Sequence, residues 1–240
     1  MAKVGVIVST LAGPGENKCY AKLKGREVFM RSLELFFARD DVCATVLAVA
    51  GDNAEQVKKK YGPHLAFASV KVVAGKDHFS AVAAALEKIP AEADLIAIHD
   101  AARPAVSTMQ IDKLIETAGR SGAAILAGPL HDTIKQVSKD KKASQSLDSQ
   151  DLWLAQTPQI FSAQLLRQAY AKREKLGSGF ADDADLVAAF GTAATVVASS
   201  WQNIRIVTED DLTIAGPIID ALPKPKPKGP AGPYAEDKMW

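Results

Sequence analysis

Residues 94–104 read DLIAIHDAARP. Asp94–His99 is a short run in which consecutive residues are apolar, too short for a helix and suited to a strand buried on both faces. It ends at Asp100, followed by Ala101, Ala102, Arg103 and Pro104. An acidic residue at the carboxyl end of a central strand sits where open parallel sheets bind ligands. Similar runs occur at Lys3–Ser9, Ala44–Ala50, Val70–Val73 and Ala123–Ala127. Between them Val28–Phe37, Asn53–Tyr61, Ser80–Ile89 and Ile111–Ala118 space their apolar residues by three and four, as amphipathic helices do. The alternation predicts an α/β fold: a Rossmann-like, mostly parallel sheet covered by helices on both sides, with right-handed crossovers.

Leu130–Asp151 breaks the rhythm. It is polar, carries Lys135, Lys139, Lys141 and Lys142, and holds two extended pieces around Ser138–Ala143. A ribbon with so little apolar surface is not stable alone, so it reads as a projecting β-arm that pairs with a second copy in a homodimer. Helices are then expected at Ser162–Leu176 and Asp182–Phe190, a strand at Thr195–Ala198, an extended Asn203–Val207 and a helix at Glu209–Asp220. The organisation read from this is one domain over residues 1–222, with 130–151 as its arm, and a Pro/Lys-rich flexible tail over 223–240.

Composition excludes several classes. The 240 residues include 29 Lys+Arg against 28 Asp+Glu, so no global charge draws the chain to nucleic acid or membrane. The two cysteines, Cys19 and Cys43, make no disulfide framework and no metal-ligand spacing. A reduced, cytoplasmic compartment is expected. The N-terminal apolar run reads as a strand rather than a signal peptide, and no stretch approaches the ~18 apolar residues of a membrane span.

Two places carry chemistry. After the first strand comes Leu11-Ala12-Gly13-Pro14-Gly15, then Lys18. Such glycines let backbone N–H groups approach phosphates, with the lysine adding positive field; a plain tight turn is the other reading. At the second place Asp100 is suited to hold a divalent cation on a triphosphate, and Arg103 to grip a phosphate. A buried Asp–Arg pair supporting the loop is the alternative there.

IHDAARP (Ile98–Pro104), GPLHDTIK (Gly128–Lys135), LWLAQTPQIF (Leu152–Phe161), DDA (Asp182–Ala184) and NIRIVTEDDL (Asn203–Leu212) follow one another. In that order and spacing the chain resembles the 2-C-methyl-D-erythritol 4-phosphate cytidylyltransferase family, from Lys3 to about Asp220. The resemblance implies the nucleotide-diphospho-sugar transferase type of sheet. It also implies attack of a polyol phosphate on the α-phosphorus of CTP, with Mg²⁺ or another divalent cation present. By the same resemblance Gly13, Gly15 and Lys18 would cradle the triphosphate, and Ala12 and Gly75 would line the cytosine pocket. Asp100 would serve the metal and ribose, with Ala101 beside it. Arg103, Thr157 and a partner chain's Thr133 would bind the acceptor phosphate. Arg205 stands where the family has a lysine on the reacting phosphates, so Lys18, Arg205 and Asp100 form the expected catalytic set.

The chain departs from the pattern in several places. Its glycine loop is short, with Glu16 where the family has an arginine. Asp148-Ser149 stands where the family has Asp-Arg. After the third strand the family has Gly-Gly, an arginine and a serine, while this chain has Ala74-Gly75, His78 and Ala81, with Ser80 adjacent as a substitute nucleotide contact. One lost phosphate donor costs about 3–4 kcal/mol of transition-state stabilisation, so two without compensation would slow the reaction by roughly 10⁴-fold. Lys22, Lys24 and Lys76 are the nearby cations, more simply read as surface lysines. His64 reads as a loop residue after Pro63, His131 as exposed, and Trp153 as packing at the arm's base. Three functions remain open: cytidylyl transfer to 2-C-methyl-D-erythritol 4-phosphate, transfer to another polyol phosphate such as ribitol 5-phosphate, or nucleotide binding by a catalytically impaired homologue.

Overall fold

A computed structural model of the chain describes residues 1–14 and 17–223. Gly15, Glu16 and the tail from Lys224 onward lie outside the described residues. The elements in chain order are β1 (Val4–Ser9), β2 (Lys22–Leu23), β3 (Arg26–Glu27), α1 (Val28–Phe37), β4 (Val42–Ala50), α2 (Ala54–Phe67), β5 (Val70–Gly75) and α3 (His78–Leu86). They continue with β6 (Leu95–Asp100), α4 (Thr108–Ser121), β7 (Ala123–Pro129), β8 (Ile134–Val137), β9 (Ala143–Leu147) and β10 (Trp153–Ser162). The last are α5 (Ala163–Leu176), α6 (Asp183–Ala189), β11 (Thr195–Ala198) and α7 (Glu209–Ala221).

Seven strands form one sheet in the order β11-β7-β10-β6-β1-β4-β5. Neighbours run parallel, except β10, which is antiparallel to both β6 and β7. The mixed α/β sheet expected from the apolar runs is therefore present. Side chains alternate between faces as a strand requires: Val4, Val6 and Val8 of β1 pack with Phe29, Leu33, Phe36 and Leu114 on one side. Ile7 joins Val82, Leu86, Phe161 and Leu166 on the other. Full burial of each such side chain stabilises by about 1.5–3 kcal/mol.

Two expectations differ from the structure. β10 is a ten-residue strand that the apolar-run criterion passed over. Gln156, Thr157 and Gln159 interrupt its apolar pattern, and its pairing with β7 shifts register between Gln156 and Gln159. That irregularity puts Thr157 outside the β7 ladder. The second helix does not stop at Tyr61 but runs through Pro63 to Phe67, placing His64 in a helix; burial of Leu65 offsets the hydrogen bond a proline removes. Asn203–Val207, expected to be extended, joins no ladder and is tied by single backbone bonds, Ile206 N–H to Ala102 O and Lys18 N–H to Ile206 O.

The arm is an antiparallel β8–β9 hairpin, with Ile134 opposite Leu147. It rises where β7 and β10 pair, Pro129 opposite Trp153. Val137, Leu147, Leu152, Trp153 and Leu154 are all exposed along the arm and its base. Trp153 stands at the base as expected but is 45% exposed within its own chain. Among the described residues no helix is long and apolar enough to cross a membrane.

Candidate active site

β1 and β6 lie side by side in register, Ser9 opposite Asp100, so the glycine loop and the Asp100–Pro104 turn leave the sheet at the same edge. Between them is a cavity of about 240 Å³, lined by Leu11–Pro14, His78, Asp100, Arg103, Thr157, Asp182, Asp183 and Arg205 among others. A larger, mostly apolar groove of about 500 Å³, between the α1 and α4 regions and the end of α7, contains none of the expected site residues.

Asp100 and Arg205 form the centre of this cavity. Arg205 Nε–H donates to Asp100 Oδ2 at 2.7 Å, with the two side chains only 12% and 2% exposed. The other carboxylate oxygen, Oδ1, accepts from Ala102 N–H at 2.8 Å. A buried charge is tolerated when paired and hydrogen-bonded in this way. The guanidinium also donates to Ala12 O at 2.7 Å and Pro14 O at 3.0 Å. Gly13 is thereby required twice over. Its φ is +74°, and a Cβ there would fall 2.7 Å from Arg205 Nε, so only glycine permits both the turn and the close approach.

Arg103 donates to Asn203 O at 2.6 Å. Burial lowers its pKa to about 10, against the pull of Asp100, so it stays cationic at neutral pH. Thr157 does not present a free hydroxyl: Oγ1 accepts from Asp100 N–H at 2.8 Å and pairs with His99 Nδ1 at 3.1 Å. His99 Nε2 faces Arg103 O at 3.0 Å. Burial depresses the His99 pKa to about 3, so the ring is neutral, its Nε2–H donating to Arg103 and its Nδ1 accepting from Thr157. The single Thr157 hydrogen is thus used within the protein, and its direct role is to fix the Asp100 turn.

Other expected residues are placed less centrally. Ala12 lines the cavity. Gly75 borders an adjoining depression with Ala50 and Lys76, and a Cβ on it would stand 2.3 Å from Ala81 N. Lys18 lies outside the lining, its ammonium 2.7 Å from Glu209 Oε1 at the surface. Ser80 has a structural partner set: Oγ accepts from Lys76 N–H and Asp77 N–H, completing the capping box of α3. Ala101 is fully buried, its N–H on Ser9 O and its carbonyl accepting from Ser32, so its backbone is already satisfied. Thr133 is exposed on the arm, while Lys22 and Lys76 are exposed and Lys24 pairs with Asp220.

His78, which the sequence offers only as the residue standing where the family has an arginine, lines the cavity. Its Nε2 lies 2.7 Å from Asp183 Oδ2, and its Nδ1 3.2 Å from Ser9 Oγ. Tyr170 O–H donates to the second Asp183 oxygen, and Leu11 N–H donates to Ser9 Oγ at 3.2 Å. Burial opposes charge on His78, but the Asp183 carboxylate outweighs it and raises its pKa above the usual 6.5.

No group of three or more His, Cys, Asp or Glu side chains gathers to hold a metal ion among the described residues. Asp100 is the carboxylate at the loop junction, and each of its oxygens, having one partner, keeps a lone pair. That donor set fits a hard cation arriving with phosphate oxygens, as Mg²⁺ commonly does.

A family model described as 2-C-methyl-D-erythritol 4-phosphate cytidylyltransferase matches residues 8–221. The protein of that name from Alkaliphilus metalliredigens is 34% identical over 229 residues, spanning 91% of this chain and 94% of the relative. Its namesake from Bacillus pumilus is 33% identical over 209 residues, covering 86% and 90%. The crystal structure of the Francisella tularensis 2-C-methyl-D-erythritol 4-phosphate cytidylyltransferase superposes with a TM-score of 0.75 at 30% identity, over 90% of this chain and 100% of that one. The Thermus thermophilus structure of the same name gives 0.75 at 28%, over 91% and 99%.

Proposed function

Because the chain belongs to the 2-C-methyl-D-erythritol 4-phosphate cytidylyltransferase family, we propose that it transfers CMP from CTP to 2-C-methyl-D-erythritol 4-phosphate in isoprenoid precursor synthesis. The observation that carries this reading is the convergence of Arg103, Arg205 and the glycine loop on one cavity at the carboxyl edge of β1 and β6. An oxygen of the acceptor's phosphate attacks the α-phosphorus, and the bond to the β-phosphate oxygen breaks, so pyrophosphate leaves with that electron pair. The pentacoordinate transition state gathers negative charge, and catalysis consists mainly of alignment and charge neutralisation.

Arg205 serves first as a brace. By joining Asp100 to the carbonyls of Ala12 and Pro14, it fixes the loop whose amides would meet the triphosphate. Two of its five N–H donors remain for phosphate. Arg103, desolvated and cationic, faces the acceptor side of the cavity. Lys18 reaches the triphosphate by exchanging its exposed Glu209 partner for a phosphate. When bound, Mg²⁺ neutralises triphosphate charge, and Asp100 would hold it.

The homodimer belongs to the same reading. The exposed apolar residues of the arm and its base are a surface that a second copy would cover, bringing Thr133 of each arm toward the other's acceptor site. Pyrophosphate release from CTP, measured with 2-C-methyl-D-erythritol 4-phosphate and with ribitol 5-phosphate, tests the assignment. Release with the former by at least tenfold over the latter is expected; release with neither defeats it. Sedimentation should give a dimer that Trp153→Asp converts to monomer.

A further inference from the structure

We propose that His78 is a positioning residue for the nucleotide: through Ser9 it holds the first residues of the glycine loop, and its removable proton cancels the Asp183 charge beside the cavity. This deepens the cytidylyltransferase reading and rests on it. Four elements meet at the ring. His78 opens α3, Asp183 opens α6, Tyr170 comes from α5 and Ser9 ends β1. The chain of contacts Tyr170–Asp183–His78–Ser9 ends at Leu11 N–H, one residue before Ala12, whose carbonyl Arg205 grips. The His78 side chain is 13% exposed, and it lines the same cavity as Asp100, Arg103 and Arg205.

The order Ser9, His78, Asp183 resembles a hydrolase triad, but Ser9 is wholly buried and its oxygen already accepts from Leu11. No carbonyl substrate reaches it, so the serine transmits position rather than attacking.

The network holds its shape in both protonation states. With the ring neutral, Nε2–H donates to Asp183 and Nδ1 accepts the Ser9 hydroxyl hydrogen. When Nδ1 gains a proton it donates to Ser9 Oγ, which has a second lone pair for Leu11 N–H. What changes is charge: the His78–Asp183 pair is neutral with the proton and carries one negative charge without it.

The groups facing the ring are mostly acidic. Asp182 and Asp183 lie on the α6 side and Asp100 at the end of β6. Asp77 precedes the ring in the chain, and Arg173 of α5 sits over the neighbouring Phe79 ring. This surrounding supports the raised pKa of His78. A triphosphate entering the cavity adds negative charge, so nucleotide and proton bind with mutual reinforcement. Affinity for CTP accordingly falls as pH rises through the His78 pKa, while the chemical step, which His78 does not touch, changes little.

The test compares wild type, His78→Arg and His78→Gln from pH 6 to 9. His78→Arg supplies a permanent cation and serves as the baseline for the titration of CTP itself. The KM for CTP of wild type should match that of His78→Arg at pH 6 and exceed it by ~10-fold at pH 9, the scale of one phosphate contact partly lost. His78→Gln should lie high throughout, with kcat altered less than about twofold. As a second readout, the imidazole resonance of His78 in wild type, assigned by its loss in either His78 variant, should titrate at higher pH when CTP is added. A wild-type KM profile that parallels His78→Arg, or a His78 titration unmoved by bound CTP, overturns the proposal. A wild type that binds no CTP overturns the cytidylyltransferase reading and this inference with it.

Discussion

Arg205 lies 2.7 Å from Asp100 although 105 residues separate them, and the same guanidinium fastens the glycine loop through Ala12 and Pro14. Arg205, which by resemblance stands where the family has a lysine, is therefore a structural brace. A lysine's single ammonium has no rigid fork with which to span a carboxylate and two carbonyls.

Arg205→Ala should destabilise the protein by about 3–5 kcal/mol, because it leaves the buried Asp100 carboxylate without its partner. Urea unfolding measures this directly. Asp100→Asn should also lower stability, since it strands the Arg205 charge. Loss of under ~1 kcal/mol in both would show that water replaces the pair.

Stability should fall in acid because of His99. Its folded pKa is depressed to about 3, so below the ordinary value of 6.5 the unfolded chain takes up a proton that the native state refuses. The contribution is intact above pH 6.5 and is lost as pH falls toward 3, at up to ~1.4 kcal/mol per pH unit. His78 has the opposite sign: its raised pKa adds stability that is full below 6.5 and disappears as pH rises through the folded value. His99→Gln should flatten the unfolding free energy between pH 6.5 and 4.5; an unchanged slope assigns the acid loss to carboxylates.

Glu209→Gln should free Lys18. Exposed ion pairs are worth ~0.2–1 kcal/mol, so the KM for CTP should fall by up to about fivefold while kcat is little altered. An unchanged KM would place Lys18 outside the nucleotide's reach.

Ser149→Arg restores a cation that the arm's return strand lacks relative to the family. Turnover should rise by ~10-fold or more, the worth of one recovered phosphate contact; Ser149 is half-buried just past the end of β9, so urea unfolding should accompany the assay. On the proposed homodimer, in which each arm serves the other copy's acceptor site, the gain should vanish in the Trp153→Asp monomer.

Much of this is legible in the chain, for identifiable reasons. Runs such as Leu95–His99 announce buried strands because both faces are apolar, and the acid at their end marks the sheet's ligand edge. β10 stays hidden because Gln156, Thr157 and Gln159 are polar yet buried or half-buried, satisfied by Ser200, Asn203, His99 and Asp182. Those partners are distant in sequence and invisible to periodicity. Ser80 also closes the N-terminal cap of α3, a role that its place beside Ala81 does not announce. The pairing of His78 with Asp183 across 105 residues leaves no local trace beyond an unexpected histidine.

The antiparallel seam between β7 and β10 makes the arm a detour in an otherwise closed ribbon. Pro129 and Trp153 are already partners at its base, so residues can be added to or removed from the tip without shifting any strand of the sheet. The length of the hairpin is thereby uncoupled from the geometry of the cavity that Ala155, Gln156 and Thr157 of β10 line. The same seam sets the fully exposed residues of β9 and the cavity-lining Thr157 on one continuous stretch of chain.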